Sequence, residues 1–267
     1  MASEKARGQS VADRISHQLR EHIISGKLPP GTALIEMDLA AEYDTSRNSL
    51  REVLHQLGRE GLVTFVRHKG VVVRTLNRQD VRDLYVARRT LELHALNTAE
   101  LAQPALLEKM QSAIRAAERE LAKENWQAVG THSLRFHQHI VALQKSALLD
   151  EFFRTISAQL RLVFAADPDE KRVQTPDWIQ REYQIYGLLT QNRRSEAVTA
   201  LTRYLDDSER MLVDAIKRSH REAARTRTPC GHCAARSGAQ RPVTLAVPSA
   251  TRNCRLPDVS RAPSTAD

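Results

Sequence analysis

The fold is decided by residues 46–63, SRNSLREVLHQLGREGLV. Their apolar side chains recur at i, i+3, i+4 and i+7, the spacing of an amphipathic helix: Leu50, Val53, Leu54 and Leu57. Ser46 suits the N-cap of that helix, and Gly61 falls where a glycine commonly follows a helix end. Arg47 and Arg51 lie one turn apart and outside the apolar stripe. The stretch therefore predicts a helix that buries one face and exposes two guanidinium groups on the other.

The elements around this helix predict a winged helix-turn-helix. An upstream amphipathic helix is indicated by apolar residues that recur every four positions: Val11, Ile15, Leu19 and Ile23. A short second helix is predicted at about 36–43. Downstream, β-rich runs at 63–67 and 71–74 flank a glycine-containing loop at 68–70, which is the pattern of a β-hairpin. Helix, helix, turn, helix and hairpin follow one another in the order of that DNA-binding fold.

The start of the third helix is the part of such a fold that enters the major groove of DNA. An arginine there can donate two hydrogen bonds to O6 and N7 of a guanine, and a glycine at the wing tip lets the backbone approach a phosphate. The predicted DNA-binding residues are Ser46, Arg47, Asn48, Ser49, Arg51, His68, Lys69 and Gly70. The alternative is that Arg47 and Arg51 are solvated surface charges without a partner.

The pattern changes after residue 76 to long amphipathic helices, predicted at 78–102, 105–124, 127–143, 147–166, 176–191 and 194–218. No strand-like alternation interrupts them. The fold class expected is mainly α: an N-terminal winged helix-turn-helix with a small β-hairpin wing, followed by an antiparallel bundle of six to seven helices. The predicted domains are 8–76 for DNA binding, 77–220 for the bundle, and 221–267 as a disordered basic tail.

The charge of the chain is uneven. The formal net charge is +8, but residues 1–76 hold 11 Lys and Arg against 9 Asp and Glu, whereas residues 218–267 hold 9 against 3. The case for DNA binding therefore depends on where charges lie rather than on their sum. The first ten residues lack the apolar core of a secretory signal, no run of about 18 apolar residues suggests a membrane span, and a cytoplasmic location is expected.

The predicted tail contains all three cysteines of the chain, Cys230, Cys233 and Cys254. The CGHC motif at 230–233 has the spacing of half a zinc site or of a redox pair. Chance is the other interpretation, since neither further ligands nor a suitable helix start is visible nearby. The alternative function that this motif suggests is a redox- or metal-responsive DNA-binding regulator.

Residues 19–73, LREHIISGKLPPGTALIEMDLAAEYDTSRNSLREVLHQLGREGLVTFVRHKGVVV, closely resemble the winged-helix domain of the GntR family of bacterial transcription factors. RQDVRDLYVARRTLELHALNTAE, RFHQHIVAL and AVTALTRYLDDSER resemble parts of the FadR-type effector domain, called FCD. The resemblance implies a homodimeric repressor or activator that binds a palindromic operator under the control of a small molecule held in the helical domain, and we expect a repressor. The family often carries an arginine where this chain has Met37, so the operator preference is expected to differ.

The resemblance also bears on metal binding. Many FCD domains hold a metal with one Asp and three His, and here only His137 of the Phe-His pair keeps its ligand type. The other three positions fall on Ser133, Tyr183 and Tyr204. Because zinc needs three or four good ligands, no metal and no cofactor are expected, although His132 or His139 remains open as a substitute ligand.

The substituted pocket favours an organic ligand. Arg88 aligns with a basic residue that the family uses, Arg161 could also point inward, and an arginine in a pocket pairs bidentately with a carboxylate. The predicted effector-binding residues are Arg88, Ser133, His137, Arg161, Tyr183 and Tyr204. The alternatives are that Arg88 pairs with Glu92 at i+4 and that His137 is a hydrogen-bonded core histidine. No nucleophile–base set or phosphate-binding loop is present, so an enzyme is not expected.

Overall fold

The computed structural model describes residues 10–98, 103–166, 171 and 174–226. Cys230, Cys233 and Cys254, with the predictions that rest on them, lie outside the described residues. Among the described helices, none is both long and apolar enough to cross a membrane.

The N-terminal part holds the three predicted helices α1 (Val11–Ile24), α2 (Glu36–Glu42) and α3 (Arg47–Arg59). Ser46 is the N-cap of α3, its hydroxyl accepting from the Ser49 backbone N–H. Gly61 follows the other end with a φ of +70°, a left-handed conformation that glycine adopts without strain. All four residues of the apolar stripe of α3 are buried, so local sequence signals define this helix correctly.

A small antiparallel sheet forms the wing. Strands β2 (Val63–Val66) and β3 (Gly70–Val73) make the predicted hairpin, and β1 (Ala33–Leu34) adds a third strand on the other side of β3. The sequence did not predict β1, because two residues are too short to show an alternating pattern.

The remaining helices build the bundle: α4 (Arg78–Thr98), α5 (Pro104–Leu121), α6 (Trp126–Val141), α7 (Ala147–Ala165), α8 (Pro176–Thr190) and α9 (Arg194–Thr226). A short 3-10 turn at Ala142–Gln144 separates α6 from α7. The predicted fold class is confirmed. The boundary that differs most is the end of α9, which continues to Thr226, so the helix includes the first residues that the sequence assigned to the tail.

Candidate nucleic-acid interface and buried polar cluster

The start of α3 is exposed and ordered by its own cap. Ser46 Oγ accepts from Ser49 N at 3.1 Å and lies 2.9 Å from Ser49 Oγ. Arg47 and Asn48 are exposed, and no hydrogen bond joins either side chain to another described residue. These two side chains are therefore available to an external partner.

Arg51 is the exception on this face, because a neighbouring helix already holds it. Its Nη2 lies 3.0 Å and its Nε 3.3 Å from Oε2 of Glu36 on α2. The Arg51 side chain nevertheless stays 59% exposed. The pair fixes the direction of the guanidinium while leaving donors open to solvent.

The wing tip turns tightly between β2 and β3. His68 has a φ of +64° and Gly70 a φ of +76°, and His68, Lys69 and Gly70 are all exposed. No atom outside the adjoining residues lies within 4 Å of where a Cβ on Gly70 would stand. The backbone here is open to a close approach, as contact with a phosphate requires.

The bundle contains a buried ionic group centred on Glu92 of α4. Arg88 Nε donates to Glu92 Oε1 at 2.7 Å, and His137 Nδ1 of α6 lies 2.6 Å from Glu92 Oε2. Burial opposes the ionisation of Glu92, but the charge of Arg88 and the contact with His137 outweigh it and lower the pKa of the carboxyl. Glu92 is therefore a carboxylate that accepts from both neighbours.

A second buried carboxyl, Glu182 of α8, lies beside this group. Its Oε1 accepts from the Ser133 hydroxyl and from the Tyr204 hydroxyl, the latter at 3.1 Å, and lies 4.0 Å from His137 Nε2. Burial raises the pKa of Glu182 in spite of these donors, so this carboxyl is protonated more easily than that of an exposed Glu. We call Arg88, Glu92, Ser133, His137, Glu182 and Tyr204 the polar cluster.

Three buried polar atoms of this cluster have no hydrogen-bond partner: Arg88 Nη2, His137 Nε2 and Glu182 Oε2. Leaving such a group unsatisfied is costly, about 1–3 kcal/mol each. A cavity of about 10 Å³ beside Arg88, His137 and Tyr204 is lined in addition by Gln174 and Trp178. That volume holds about one water, so a larger molecule must displace lining side chains.

Two of the predicted effector residues lie elsewhere. Tyr183 is outside the polar cluster, with its hydroxyl donating to Glu118 Oε2 of α5 at 3.0 Å, and its neighbour Glu182 takes the inward position. Arg161 is buried but its Nη2 donates to the backbone oxygen of Ile24 at 3.3 Å. The structure thus brings together Arg88, Ser133, His137 and Tyr204 and corrects the position of the other two.

The sequence missed Glu182 and gave Glu92 only the role of an i+4 partner. That pairing with Arg88 is confirmed, but Glu92 also holds His137. The available signal for Glu182 was a charged residue on the apolar face of α8. The family resemblance places its ligand position on Tyr183, one residue later, and therefore passes over Glu182.

The polar cluster does not suit a metal ion. The cluster offers His137, Glu92 and Glu182 beside the hydroxyl groups of Ser133 and Tyr204, and the described residues contain no group of three His, Cys, Asp or Glu placed to bind a metal. The Arg88 guanidinium would also repel a cation here. His132 is close to Arg135 instead, and burial followed by the charge of Lys109 lowers the pKa of His139. The polar cluster is therefore a poor metal site.

Comparison with known families divides the chain as the fold does. Residues 11–73 match the model for bacterial regulatory proteins of the gntR family, and residues 83–207 match the FCD domain. The two matches contain α3 with the wing, and the whole polar cluster, respectively.

Individual relatives agree with this division. HTH-type transcriptional regulator Mce2R of Mycobacterium tuberculosis is 33% identical over 53% of this chain, and the match spans 66% of that relative's length. The galactonate operon transcriptional repressor of Escherichia coli is 25% identical over 75% of this chain and 96% of its own. The crystal structure of a GntR transcriptional regulator from Rhodococcus sp. RHA1 is 32% identical, with a TM-score of 0.72 over 76% of this chain and 98% of the other. Relatives of this kind are regulators, which confirms the expectation that the chain is not an enzyme.

Proposed function

This chain belongs to the GntR family of bacterial regulatory proteins and carries an FCD domain, and on that basis we propose that it is an effector-controlled transcriptional repressor. It binds a palindromic operator in the cytoplasm as a homodimer. A small carboxylate-bearing molecule enters the bundle and lowers its affinity for DNA.

The exposed start of α3 supports the first part of this proposal. Arg47, Asn48 and Arg51 reach base edges in the major groove, while Ser46 and Ser49 lie where a helix N-terminus meets a phosphate. His68, Lys69 and Gly70 contact the backbone or the minor groove next to it. Met37 on α2 is 60% exposed and carries no charge, so this position makes no ionic contact with a phosphate.

The single observation that carries effector control is the set of unpartnered atoms in the polar cluster. Arg88 Nη2 is a donor, Glu182 Oε2 is a donor when its carboxyl is protonated, the form that burial favours, and His137 Nε2 is the third unpartnered atom. A carboxylate ligand presents acceptors to the two donors and replaces the hydrogen bonds that burial removed. The charge of Arg88 is already balanced by Glu92, so the cluster favours one small carboxylate over a polyanion.

The relatives support both the ligand class and the sign of regulation. The Escherichia coli relative that covers the FCD domain is named for the galactonate operon and is a repressor, and galactonate is a sugar acid. We extend from it only the class, a small polar carboxylic acid.

The homodimer is supported by apolar side chains that stay exposed among the described residues of one chain. Val86 on α4 is 61% exposed, and Leu148 and Phe152, one turn apart on α7, are 78% and 53% exposed. The helices α4 and α7 pack together. Exposed apolar side chains on neighbouring helices suit a two-fold interface between bundles.

Fluorescence anisotropy tests the proposal. Labelled DNA from upstream of the protein's own gene is titrated with the full chain in a salt series, beside a scrambled duplex. We expect tighter binding to the native sequence that survives competitor, and release by a carboxylate among the probes acetate, gluconate and galactonate. Equal binding to both duplexes that moderate salt abolishes would overturn sequence-specific recognition.

A further inference from the structure

Helix α7 packs against α1 of the DNA-binding domain, and two of its side chains bind backbone oxygens there. Gln159 Nε2 donates to the backbone oxygen of Glu60 at 3.1 Å. Arg161 Nη2 donates to the backbone oxygen of Ile24 at 3.3 Å. Glu60 caps the C-terminal end of α3 and Ile24 is the last residue of α1, so α7 holds the ends of both helices.

The contact at Glu60 is closely fitted. A Cβ on Gly61 would lie only 2.5 Å from Gln159 Nε2, so the glycine leaves the space that the amide occupies. The carboxylate of Glu60 accepts from Nε and Nη2 of Arg20 at 2.8 and 2.6 Å. Glu60, which ends α3, is therefore in contact with both α1 and α7.

Arg161, which contacts Ile24, also lies close to residues beside the polar cluster. Arg161 is 2% exposed, and a cation at the C-terminal end of a helix is favourable because the last carbonyls carry partial negative charge. A Cβ on Gly130 of α6 would lie 2.8 Å from Arg161 Nη1 and 2.7 Å from Gln174 Nε2. The two side chains thus approach the same point on α6, where no side chain separates them.

Gln174 lines the small cavity beside Arg88 and His137, and so does Phe164, whose ring lies 5.4 Å from the Arg161 guanidinium carbon. Gln174 and Phe164, which lie near Arg161, therefore both line the cavity. An organic molecule cannot fit within about 10 Å³ unless walls of this kind move.

We propose that Arg161 is a positioning residue that transmits occupancy of the cavity to the DNA-binding domain, through displacement by Gln174 and release of the Ile24 oxygen. The inference rests on the proposed function, since it presupposes operator binding. It assigns Arg161 a role without ligand contact. Gln159 serves as the fixed second attachment, which keeps the C-terminal end of α3 against the bundle while the C-terminal end of α1 at Ile24 is released.

Gly130→Ala tests this without knowing the effector, because the added methyl group takes space beside Gln174 and Arg161 as an entering ligand would. The matched control is Gly187→Ala on α8, where a Cβ meets nothing within 4 Å. Full-length proteins are titrated with the native upstream duplex by anisotropy, and circular dichroism confirms folding. We expect about a tenfold weaker operator affinity for Gly130→Ala and no change for Gly187→Ala.

A second measurement separates transmission from general destabilisation. Hydrogen exchange should rise in Gly130→Ala at the end of α1, over residues 21–28, and stay unchanged at the start of α3. Arg161→Gln removes the guanidinium and should weaken operator binding by itself, with little further loss when Gly130→Ala is added. Arg161→Gln also tests the proposal by itself if Gly130→Ala does not fold.

The outcomes distinguish the two proposals. If the wild-type chain shows no preference for the native duplex, the proposed function fails first. If the wild type is specific while folded Gly130→Ala and Arg161→Gln bind the operator equally well, transmission through Arg161 is overturned and the proposed function stands.

Discussion

Glu36 of α2 holds Arg51 of α3 through a single carboxylate oxygen, with Nη2 at 3.0 Å and Nε at 3.3 Å. The contact links the first turn of one helix of the helix-turn-helix to the face of the other that we propose meets DNA. An acidic residue beside a phosphate-rich ligand is unfavourable by itself. In the proposed function its benefit is orientation, because the carboxylate fixes the guanidinium before DNA binds.

Arg51→Ala should weaken operator binding by about 1–3 kcal/mol if the guanidinium reads a base. The measurement is anisotropy with the native upstream duplex in a salt series. Arg59→Ala, at the far end of α3, is the matched control and should have a small effect. Equal losses for the two variants would contradict the assignment of the recognition face.

Glu36→Gln should act in a different way. Removing the negative charge relieves repulsion of phosphates, so affinity for a scrambled duplex should rise. Because Arg51 loses its charged partner, affinity for the operator should rise less than affinity for the scrambled duplex. The ratio of specific to non-specific binding should therefore fall. The ratio is measured by competition between the two duplexes. An unchanged ratio would show that Glu36 does not orient Arg51.

Local signals explain what the sequence predicted well. Ser46, the stripe from Leu50 to Leu57, and Gly61 each act within a few residues, so the boundaries of α3 could be inferred without tertiary information. Strand β1 could not, because Ala33 and Leu34 are strand residues only through pairing with β3.

The polar cluster shows where such reasoning ends. Tyr183 and Glu182 are adjacent on α8, and only the rotation of that helix against α6 and α9 decides which one is buried. Arg161 was expected to point into the pocket, but it reaches across to α1, a contact between residues 137 positions apart. Helical periodicity identifies a buried face, whereas the partner across that face depends on how the helices pack.

Replacing each of the two buried carboxyl groups by an amide should change the free energy of unfolding by very different amounts. Glu92→Gln leaves the Arg88 guanidinium without a buried counter-charge and removes the anionic acceptor of His137, and we expect a loss of about 3–5 kcal/mol in the free energy of unfolding. Glu182→Gln replaces a carboxyl whose ionisation burial opposes and retains an acceptor for Ser133 and Tyr204. It should therefore cost little. Urea denaturation at pH 7 measures both, and equal losses would refute the assigned protonation states.

The pH dependence follows from the same assignment. The pKa of Glu92 is lowered below its usual 4.5, so its stabilisation is complete above that pH and is lost as pH falls through the native value. The pKa of Glu182 is raised, so its burial reduces stability as pH rises from about 4.5 through the native value. Below pH 4.5 the difference in the free energy of unfolding between wild type and Glu92→Gln should decrease. Above pH 4.5 the free energy of unfolding of Glu182→Gln should increase relative to that of wild type as the pH rises. Unfolding curves in a pH series check both slopes.

Phe152→Glu should separate the proposed dimer, since it places a charge among side chains that a two-fold partner would bury. Sedimentation velocity should then show a species near the 30.1 kDa of one chain, with circular dichroism unchanged because Phe152 is 53% exposed within the chain. Operator affinity should fall at least tenfold, as a monomer contacts only one half-site. Gln184→Glu, exposed on α8, adds the same charge away from this face and should remain dimeric. A Phe152→Glu protein that sediments as wild type would exclude this face of α7 from the interface and direct attention to other exposed surfaces of the bundle.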